Sequence, residues 1–517
     1  MENTPETDFS ETIELLAPQD VSNQTSETIR REELLSEKML LRLHSLYPAS
    51  SRLTQKSHLF FFAEEQYAGL SGFRQLVNEL NEQGITLDSI AERELFIQVY
   101  RFRVTGHLLK QIDWNSYAKD PLFHLVFPQP GMINEQVVAK YIGASSALER
   151  TSIAQFYSEH TNAHGSKQLL NKPWFTNAQG EVEVLPGSQH KYPQVQLIFD
   201  KQTQHCFSFC TYCFRHGQVC QDHEMLVQED VAQIHEYLRK HTEVSDLLIT
   251  GGDAGYITKD RLAQYVRPLK DDPSLKHIRT VRLGSRLLTF QPEKILNHRY
   301  DEMLELFADL QRNGLTVMWM AHFSTPNELL NASTIAAIRR LQKHGVTLRG
   351  QSPMIRNVNI FFDEEGNLLA DESAKSWIDM AKIFGTLQVG FHSVYCARQT
   401  GEFSYFSAPL SDVHRVFEQV YRELPSVNRP SRHVSMTISA GKVSMIGTVE
   451  INGRKAFALK FTEARNMKWI DQVFLAEYDE TTSRIDQLKP FFGGDFFYCD
   501  ELKTIETELA ENLDKYI

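Results

Sequence analysis

From residue 194 onward, short runs of β-branched and apolar residues alternate with longer stretches of helical periodicity. The runs predict six strands, at 195–199, 246–250, 278–283, 316–323, 347–352 and 387–394. Between the first two, residues 227–238 carry apolar side chains on one helical face. Strands that alternate with helices are typical of βα units and a parallel sheet. The pattern predicts an α/β fold whose reactive groups gather at the carboxyl ends of the strands.

Helical spacing dominates the chain before this region. Amphipathic helices are predicted at 32–46, 64–82 and 87–112, and Asp88 is a candidate cap for the third of them. Residues 1–30 are rich in Thr, Ser, Glu and Gln, with few large apolar side chains. We therefore predict a disordered tail followed by a helical N-terminal domain.

Composition narrows the class of protein. The 517 residues include 54 basic and 66 acidic side chains, for a net charge of −12, and no basic tract suits a nucleic acid backbone. The N-terminus lacks the basic-then-apolar order of a signal peptide, and the apolar cluster at 59–63 is too short to span a membrane. Six cysteines, three of them in one motif, fit a reducing compartment better than a disulfide scaffold. We expect a cytoplasmic protein with neither nucleic acid nor membrane as a partner.

The motif directly follows the first predicted strand. It contains Cys206, Cys210 and Cys213 in the spacing C-x3-C-x2-C. Thiolates this close on one loop can hold an iron–sulfur cluster. Three cysteines leave one iron of a four-iron cluster without a protein ligand, and an open iron can bind a substrate or cofactor.

Two other metal or redox interpretations fit the same loop. A zinc ion could recruit His205, His216 or Cys220 as a fourth ligand. Cys210 and Cys213 alone form a C-x-x-C redox pair.

With Tyr212 before the last cysteine and Phe214-Arg215 after it, the loop resembles that of radical S-adenosylmethionine (SAM) enzymes of the lysine 2,3-aminomutase family. The resemblance implies a 4Fe–4S cluster whose open iron chelates SAM and cleaves it to a 5′-deoxyadenosyl radical. It also implies a partial (β/α)6 barrel and a reducing flavodoxin or ferredoxin as partner. Arg215 aligns with the family arginine that pairs with the substrate carboxylate, although a surface arginine is an open alternative.

The resemblance covers roughly 115–445 and divides the chain. The helical N-terminal domain would take 31–180, with an insertion at 131–180 that has no counterpart in the family. The partial barrel would take 181–425, and an α+β extension would take 426–517.

Further matches to the family follow the predicted strands. Gly251-Gly252-Asp253 ends the second strand, and such a turn can donate N–H groups to a carboxylate, although a tight βα turn alone also explains it. The resemblance implies that these three residues contact the amino group of SAM. It also implies that His322 and Gln351, after the fourth and fifth strands, lie near the adenosyl cofactor.

The family uses pyridoxal phosphate as well, held by a lysine and a phosphate clamp. The nearest match for that lysine is Lys442 in Ser-Ala-Gly-Lys-Val-Ser, which is equally consistent with a plain β-hairpin turned at Ala440-Gly441. Lys191, in a His-Lys-Tyr-Pro stretch similar to the family's, is a candidate phosphate contact.

Other positions depart from the lysine enzymes. Ala397 stands where they have one substrate-binding aspartate, and 435–439 lacks the second. A buried lysine ammonium without a counter-charge is strongly disfavoured, so free lysine is not the expected substrate. By analogy with glutamate-type enzymes, Arg398 could face a carboxylate instead, or lie at the surface. The interface zinc cysteines are also missing, so any homo-oligomer must be held by other contacts.

These observations predict an aminomutase-like isomerase that shifts the amino group of a small-molecule amino acid. One alternative keeps the radical chemistry without pyridoxal phosphate and abstracts hydrogen from another substrate or a protein residue. An alternative of another class is a non-catalytic, zinc-binding interaction protein.

Overall fold

The computed structural model describes residues 36–47, 60–160, 168–219 and 226–516. The predicted tail at 1–30 and the candidate zinc ligand Cys220 lie outside these ranges. Within the described ranges no helix is long and apolar enough to cross a membrane.

Eleven strands form one sheet, in the order β15-β14-β13-β12-β11-β10-β9-β8-β7-β6-β5. These strands are β5 (Ser188–Tyr192), β6 (Val195–Phe199), β7 (Asp246–Thr250), β8 (Thr280–Ser285), β9 (Thr316–His322), β10 (Thr347–Met354), β11 (Gly390–Cys396), β12 (Ser435–Thr437), β13 (Gly441–Ile451), β14 (Arg454–Ala464) and β15 (Val473–Glu477). Each neighbouring pair from β6 to β11 is parallel. The fold is mixed α/β with a large sheet.

The six predicted strands correspond to β6 through β11. β6 and β7 have the predicted bounds. Each of the other four strands ends within two residues of its predicted end. The helix predicted at 227–238 begins later, at Val231, because the Asp230 carboxylate accepts the backbone N–H of Ala232 and caps the helix there.

Helices connect the parallel strands and follow the last of them. They are His216–Val219, Val231–Lys240, Lys259–Asp271, Leu287–Phe290, Glu293–Leu296, Asp301–Arg312, Ala332–Lys343, Ala370–Thr386, Phe403–Phe406 and Leu410–Glu423. The core lies between them and the sheet, and Trp319 and Trp377 are fully buried there. The helix Cys499–Tyr516 closes the described chain.

The two ends of the long sheet approach each other. Lys191 on β5 donates from Nζ to the carbonyl of Ile438, which follows β12. Arg465, directly after β14, donates to Asn171 Oδ1 at 2.7 Å. The first contact connects β5 directly to the hairpin of β12 and β13, and the second connects β5 to the end of β14 through Asn171, whose carbonyl accepts the N–H of His190 on β5.

The N-terminal part is helical with a small sheet of its own. Its helices are 36–46, Gly69–Glu82, Ile90–Val99, Gly106–Leu109, Pro121–Val126, Glu135–Gly143 and Ala147–His160. Strands β1 (Gln66–Ala68) and β2 (Arg103–Thr105) pair antiparallel, as do β3 (Trp174–Thr176) and β4 (Val182–Val184).

The prediction of one continuous helix over 87–112 is wrong in its middle. Strand β2 interrupts it, because pairing with β1 outweighs the local helical spacing. Asp88 is not the cap either. The capping position is Ser89, with φ of 50°, and the Asp88 carboxylate pairs with Arg93 at 2.6 Å.

Candidate active site

The cysteine loop, residues 200–215, leaves the carboxyl end of β6. Asp200 anchors its start: the buried carboxylate accepts from Gln202 N–H at 2.8 Å and from Arg261 Nε at 2.6 Å. The Tyr265 hydroxyl donates to the same carboxylate at 2.8 Å. The loop is therefore fixed where β6 ends, the position at which βα proteins place reactive groups.

The N-terminal part holds the far side of this loop. Arg103 Nη1 donates to the carbonyl of Cys206 at 3.0 Å, and its own carbonyl accepts Phe209 N–H at 2.8 Å. Thr211 N–H donates to the carbonyl of Leu125 at 2.9 Å. We call β2 and the helix Pro121–Val126 the N-terminal clamp. Sequence reasoning missed it, because the partners are separated by about a hundred residues.

The predicted Gly251-Gly252-Asp253 turn packs against the same loop. Gly251 has φ of 143°, and a side chain there would lie 2.6 Å from Thr203 Oγ1. The N–H groups of Gly252 and Asp253 both donate to the Thr203 carbonyl, at 2.7 and 3.0 Å. Two of the donors expected to face a carboxylate ligand are thus used to dock the cysteine loop.

Asp253 is buried and holds two turns together. Its Oδ1 accepts Gly255 N–H at 2.7 Å, and its Oδ2 accepts Arg286 N–H at 2.8 Å. Burial raises the pKa of this carboxyl group, and these hydrogen bonds oppose the rise. A contact between Asp253 and an ammonium group remains a prediction.

Arg286, after β8, is the centre of a buried polar cluster that the sequence did not single out. Its guanidinium donates to Cys210 Sγ at 3.2 Å and to the Tyr212 hydroxyl at 2.8 Å, and it forms an ion pair with Glu328. Burial disfavours its charge, but Cys210, Tyr212 and Glu328 outweigh burial and raise the pKa of Arg286. The guanidinium therefore stays charged beside the cysteine loop, whereas burial raises the pKa of the Glu328 carboxyl group against the opposing effect of Arg286.

His322 and Gln351 are neighbours across β9 and β10. His322 Nε2 lies 3.3 Å from the Tyr212 hydroxyl, and Gln351 Oε1 accepts from the Tyr395 hydroxyl at 3.2 Å. Burial, with Arg286 nearby, lowers the pKa of His322 well below its ordinary value, so its ring is neutral. The two predicted cofactor contacts therefore lie side by side next to the cysteine loop.

The described donors of the cysteine loop do not converge on a single ion. Among the described residues, Cys206, Cys210 and Cys213 do not bring three ligand atoms within 4.8 Å of one another, either among themselves or with His205 or His216. Burial raises the pKa of the Cys210 thiol, and that of Cys213 to about 12. A polynuclear cluster is larger than an ion and takes its thiolates from further apart.

Lys442 lies on β13, opposite Thr437 of β12, directly after a hairpin turn at 438–441. The alternative of a plain hairpin is therefore correct for the backbone. Lys442 Nζ forms an ion pair with Glu463 and lies 5.9 Å from the centre of the Tyr395 ring. Burial opposes its charge, but Tyr395, Glu463 and Tyr192 outweigh burial, so the pKa of Lys442 is raised.

Lys191 faces the same space from β5. Lys191 Nζ and Lys442 Nζ lie 5.7 and 5.8 Å from the centre of the Tyr192 ring, so both ammonium groups approach the same aromatic side chain. Burial, Arg465 and Arg398 lower the pKa of Lys191 well below its ordinary value. We call the surroundings of Tyr192, Lys191, Lys442, Arg215 and Arg398 the cationic chamber.

Two arginines of this chamber lie close to the ring of Phe214. The guanidinium carbons of Arg215 and Arg398 lie 5.2 and 4.2 Å from the centre of that ring. Burial lowers the pKa of each to about 10, and Arg398 further lowers that of Arg215. Within the described ranges neither guanidinium pairs with a carboxylate. The sequence analysis named both arginines as candidate partners of a carboxylate, each with a surface position as an open alternative.

Known proteins give an independent comparison. The chain is 29% identical over 265 residues to an Aquifex aeolicus protein provisionally named L-lysine 2,3-aminomutase, covering 51% of this chain and 65% of that one. It is 30% identical over 175 residues to L-lysine 2,3-aminomutase of Clostridium subterminale, covering 34% and 39%. It is 28% identical over 169 residues to glutamate 2,3-aminomutase of Clostridioides difficile, covering 33% and 37%.

The chain thus spans less than two thirds of the length of these relatives, and no family model matches it. A radical SAM methyltransferase from Sphaerobacter thermophilus is similar at a TM-score of 0.30 and 15% identity, covering 51% of this chain and 73% of that one. That likeness is too weak to carry an argument. The resemblance to lysine 2,3-aminomutases is confirmed by the sequence relatives.

Proposed function

We propose that this chain, a relative of the lysine and glutamate 2,3-aminomutases, is a radical SAM enzyme that shifts the amino group of an α-amino acid other than free lysine. Cys206, Cys210 and Cys213 would bind a 4Fe–4S cluster. Lys442 would bind pyridoxal phosphate, and a reducing flavodoxin or ferredoxin would supply electrons. We further infer that β6–β11 form the partial (β/α)6 barrel of this class.

The observation that carries the proposal is a continuous row of side chains from the cysteine loop to Lys442. Tyr212 meets His322, His322 neighbours Gln351, and Gln351 accepts from Tyr395. Tyr395 in turn lies beside Lys442. A cluster at one end and a carbonyl cofactor at the other would therefore border one space.

When bound, the cluster with SAM supplies a hydrogen-abstracting radical, and pyridoxal phosphate supplies a carbonyl that carries the migrating amino group. The chain's residues must then orient these groups. Neutral His322 offers a hydrogen-bonding ring that adds no charge next to the cluster loop. Gly251 and Gly252 keep that loop close to β7, since a side chain at Gly252 would lie 2.5 Å from the carbonyl oxygen of His205.

Lys442 must lose its proton before it can react with a carbonyl. Glu463 opposes this loss, because its carboxylate pairs with Nζ, and Lys442 and Arg432 outweigh burial and lower the pKa of Glu463. Arg432, 3.3 Å from the other carboxylate oxygen, holds Glu463 in place. The ion pair with Glu463 must therefore be broken before Lys442 can react with a carbonyl.

The substrate would be held by its negative charges. Arg215 suits the α-carboxylate, and Lys191 with Arg465 suits a phosphate. Arg398 would then face a further anionic group on the substrate side chain, where Ala397 offers no carboxylate. Buried cations without counter-charges are disfavoured, so a ligand that brings anions into the chamber is favoured.

The test is anaerobic turnover with deuterated amino acids, including glutamate and lysine. We expect deuterium in 5′-deoxyadenosine and a β-amino product from an acidic amino acid, and neither from lysine. Absence of transfer from every α-amino acid would contradict the amino shift.

One observation favours a second candidate without pyridoxal phosphate: Lys442 is a charged partner of Glu463 rather than a free amine. Hydrogen abstraction from another substrate or a protein residue would then follow. Borohydride treatment separates the two. A pyridoxal phosphate absorbance that borohydride removes, and that Lys442→Ala lacks, supports the first proposal, whereas its absence in the wild type supports the second.

A further inference from the structure

A second group of metal-type ligands lies away from the cysteine loop. His190 on β5, and His241 and Glu243 after the helix Val231–Lys240, bring one ligand atom each within 4.8 Å of one another. β5 is the edge strand of the sheet. The group therefore bridges an edge strand and the segment that leads into β7.

His190 is oriented as a ligand would be. Its Nε2 lies 3.0 Å from the carbonyl oxygen of Pro193, which can only accept, so Nε2 carries the proton. Nδ1 then offers its lone pair and accepts from the Tyr237 hydroxyl. Histidines that bind metals commonly donate their other N–H to a carbonyl in this way.

The other two ligands are placed against it. His241 Nδ1 lies 2.8 Å from Glu243 Oε1, and the His190 and His241 rings are 5.7 Å apart and nearly perpendicular. The Tyr237 ring stacks on His241 at 3.9 Å and limits its movement. Glu243 is exposed, so an ion can enter from solvent.

We propose that His190, His241 and Glu243 bind a zinc ion, with water at a fourth position. Two imidazoles and one carboxylate suit Zn²⁺, whereas Mg²⁺ and Ca²⁺ prefer oxygen ligands alone. The ion takes the His190 Nδ1 lone pair in place of the Tyr237 hydroxyl. It fastens β5 to the segment before β7, and the residue after His190 is Lys191, which enters the cationic chamber. The site is independent of the proposed reaction.

The test is zinc binding by cluster-loaded protein, so that the cysteines are already occupied. Equilibrium dialysis with ZnCl2 and elemental analysis measure stoichiometry, and calorimetry measures the unfolding temperature. We expect one zinc per chain and a higher unfolding temperature with zinc. His241→Asn and Glu243→Gln should each weaken zinc binding at least about tenfold. His298→Asn, at an exposed histidine elsewhere, is the matched control and should change nothing.

Two results would overturn the site. One is wild-type protein that binds no zinc under these conditions. The other is stoichiometric zinc of unchanged affinity in both His241→Asn and Glu243→Gln, which would place the ion elsewhere. Circular dichroism of each variant without zinc separates lost ligands from lost folding.

Discussion

The cysteine loop and the cationic chamber lie at two ends of one row of side chains, but they treat buried charge in opposite ways. Beside the loop, Arg286 is paired with Glu328 and also donates to Cys210 and Tyr212. In the chamber, Lys442 pairs with Glu463, but the half-buried Arg215 and Arg398 face a ring and, among the described residues, no carboxylate.

The difference separates what the protein prepares by itself from what a ligand must complete. A paired and hydrogen-bonded buried charge is preorganised, and it needs no further partner. A buried cation without a counter-charge keeps an unfavourable desolvation energy until an anion arrives. The cysteine loop is therefore held in place without a ligand, whereas the chamber suits ligands that carry negatively charged groups.

The largest effect is expected when a cysteine ligand of the loop is replaced. Cys210→Ser should remove the cluster and reduce 5′-deoxyadenosine formation to background, because serine does not replace a thiolate toward iron and sulfide. Iron content and product are measured after anaerobic reconstitution. Cys499→Ser, at a cysteine remote in sequence, should keep both. A Cys210→Ser protein that retains iron, sulfide and product would show that the loop is not the cluster site.

The second largest effect is expected from breaking the ion pair between Arg286 and Glu328. Glu328→Gln leaves Arg286 buried without its counter-charge, and we expect the free energy of unfolding to fall by about 3–5 kcal/mol. Urea unfolding measures it. The matched control is Glu94→Gln, whose partner Arg74 is 60% exposed, with an expected loss of about 0–1 kcal/mol. Equal losses in the two variants would remove the contrast between buried and surface pairs.

Removal of an unpaired arginine from the chamber should not lower the free energy of unfolding, in contrast to Glu328→Gln. Arg398→Met removes an unpaired, half-buried cation, so ligand-free protein should be unchanged or about 1 kcal/mol more stable. The same variant should raise KM for an acidic amino acid by at least about tenfold, since a charge-assisted hydrogen bond is lost. Urea unfolding and steady-state kinetics give the two values. A loss of stability as large as that of Glu328→Gln would mean that Arg398 is already paired.

The smallest expected effect is a pH dependence of stability that arises mainly from the burial of His392. Burial, then Arg432 and Lys442, lower the pKa of His392 to about 4, from 6.5 in the unfolded chain. The folded state binds fewer protons below pH 6.5, so the free energy of unfolding should fall as the pH drops from 6.5 toward 4. His392→Asn should flatten part of this slope in urea unfolding at pH 7 and 5, whereas His298→Asn should not. An unchanged slope in His392→Asn would mean that burial and the nearby cations do not lower the pKa of His392.

Much of the α/β region could be predicted because its strands are local runs of apolar residues. β6 and β7 have the predicted bounds, and the cysteine loop follows β6 as expected. Periodicity failed at β2, where pairing with a distant strand decides the structure. It also gave no sign that Arg103 would hold the loop at Cys206 or that Arg286 would meet Glu328, because such contacts depend on tertiary packing.

The central claim is that three cysteines hold a cluster with one iron open to SAM. Electron paramagnetic resonance of reduced, reconstituted protein before and after SAM addition tests it most directly. We predict a 4Fe–4S signal that changes when SAM is added, together with 5′-deoxyadenosine. Stoichiometric zinc at the loop, or a cluster signal that SAM leaves unchanged with no 5′-deoxyadenosine formed, would contradict it.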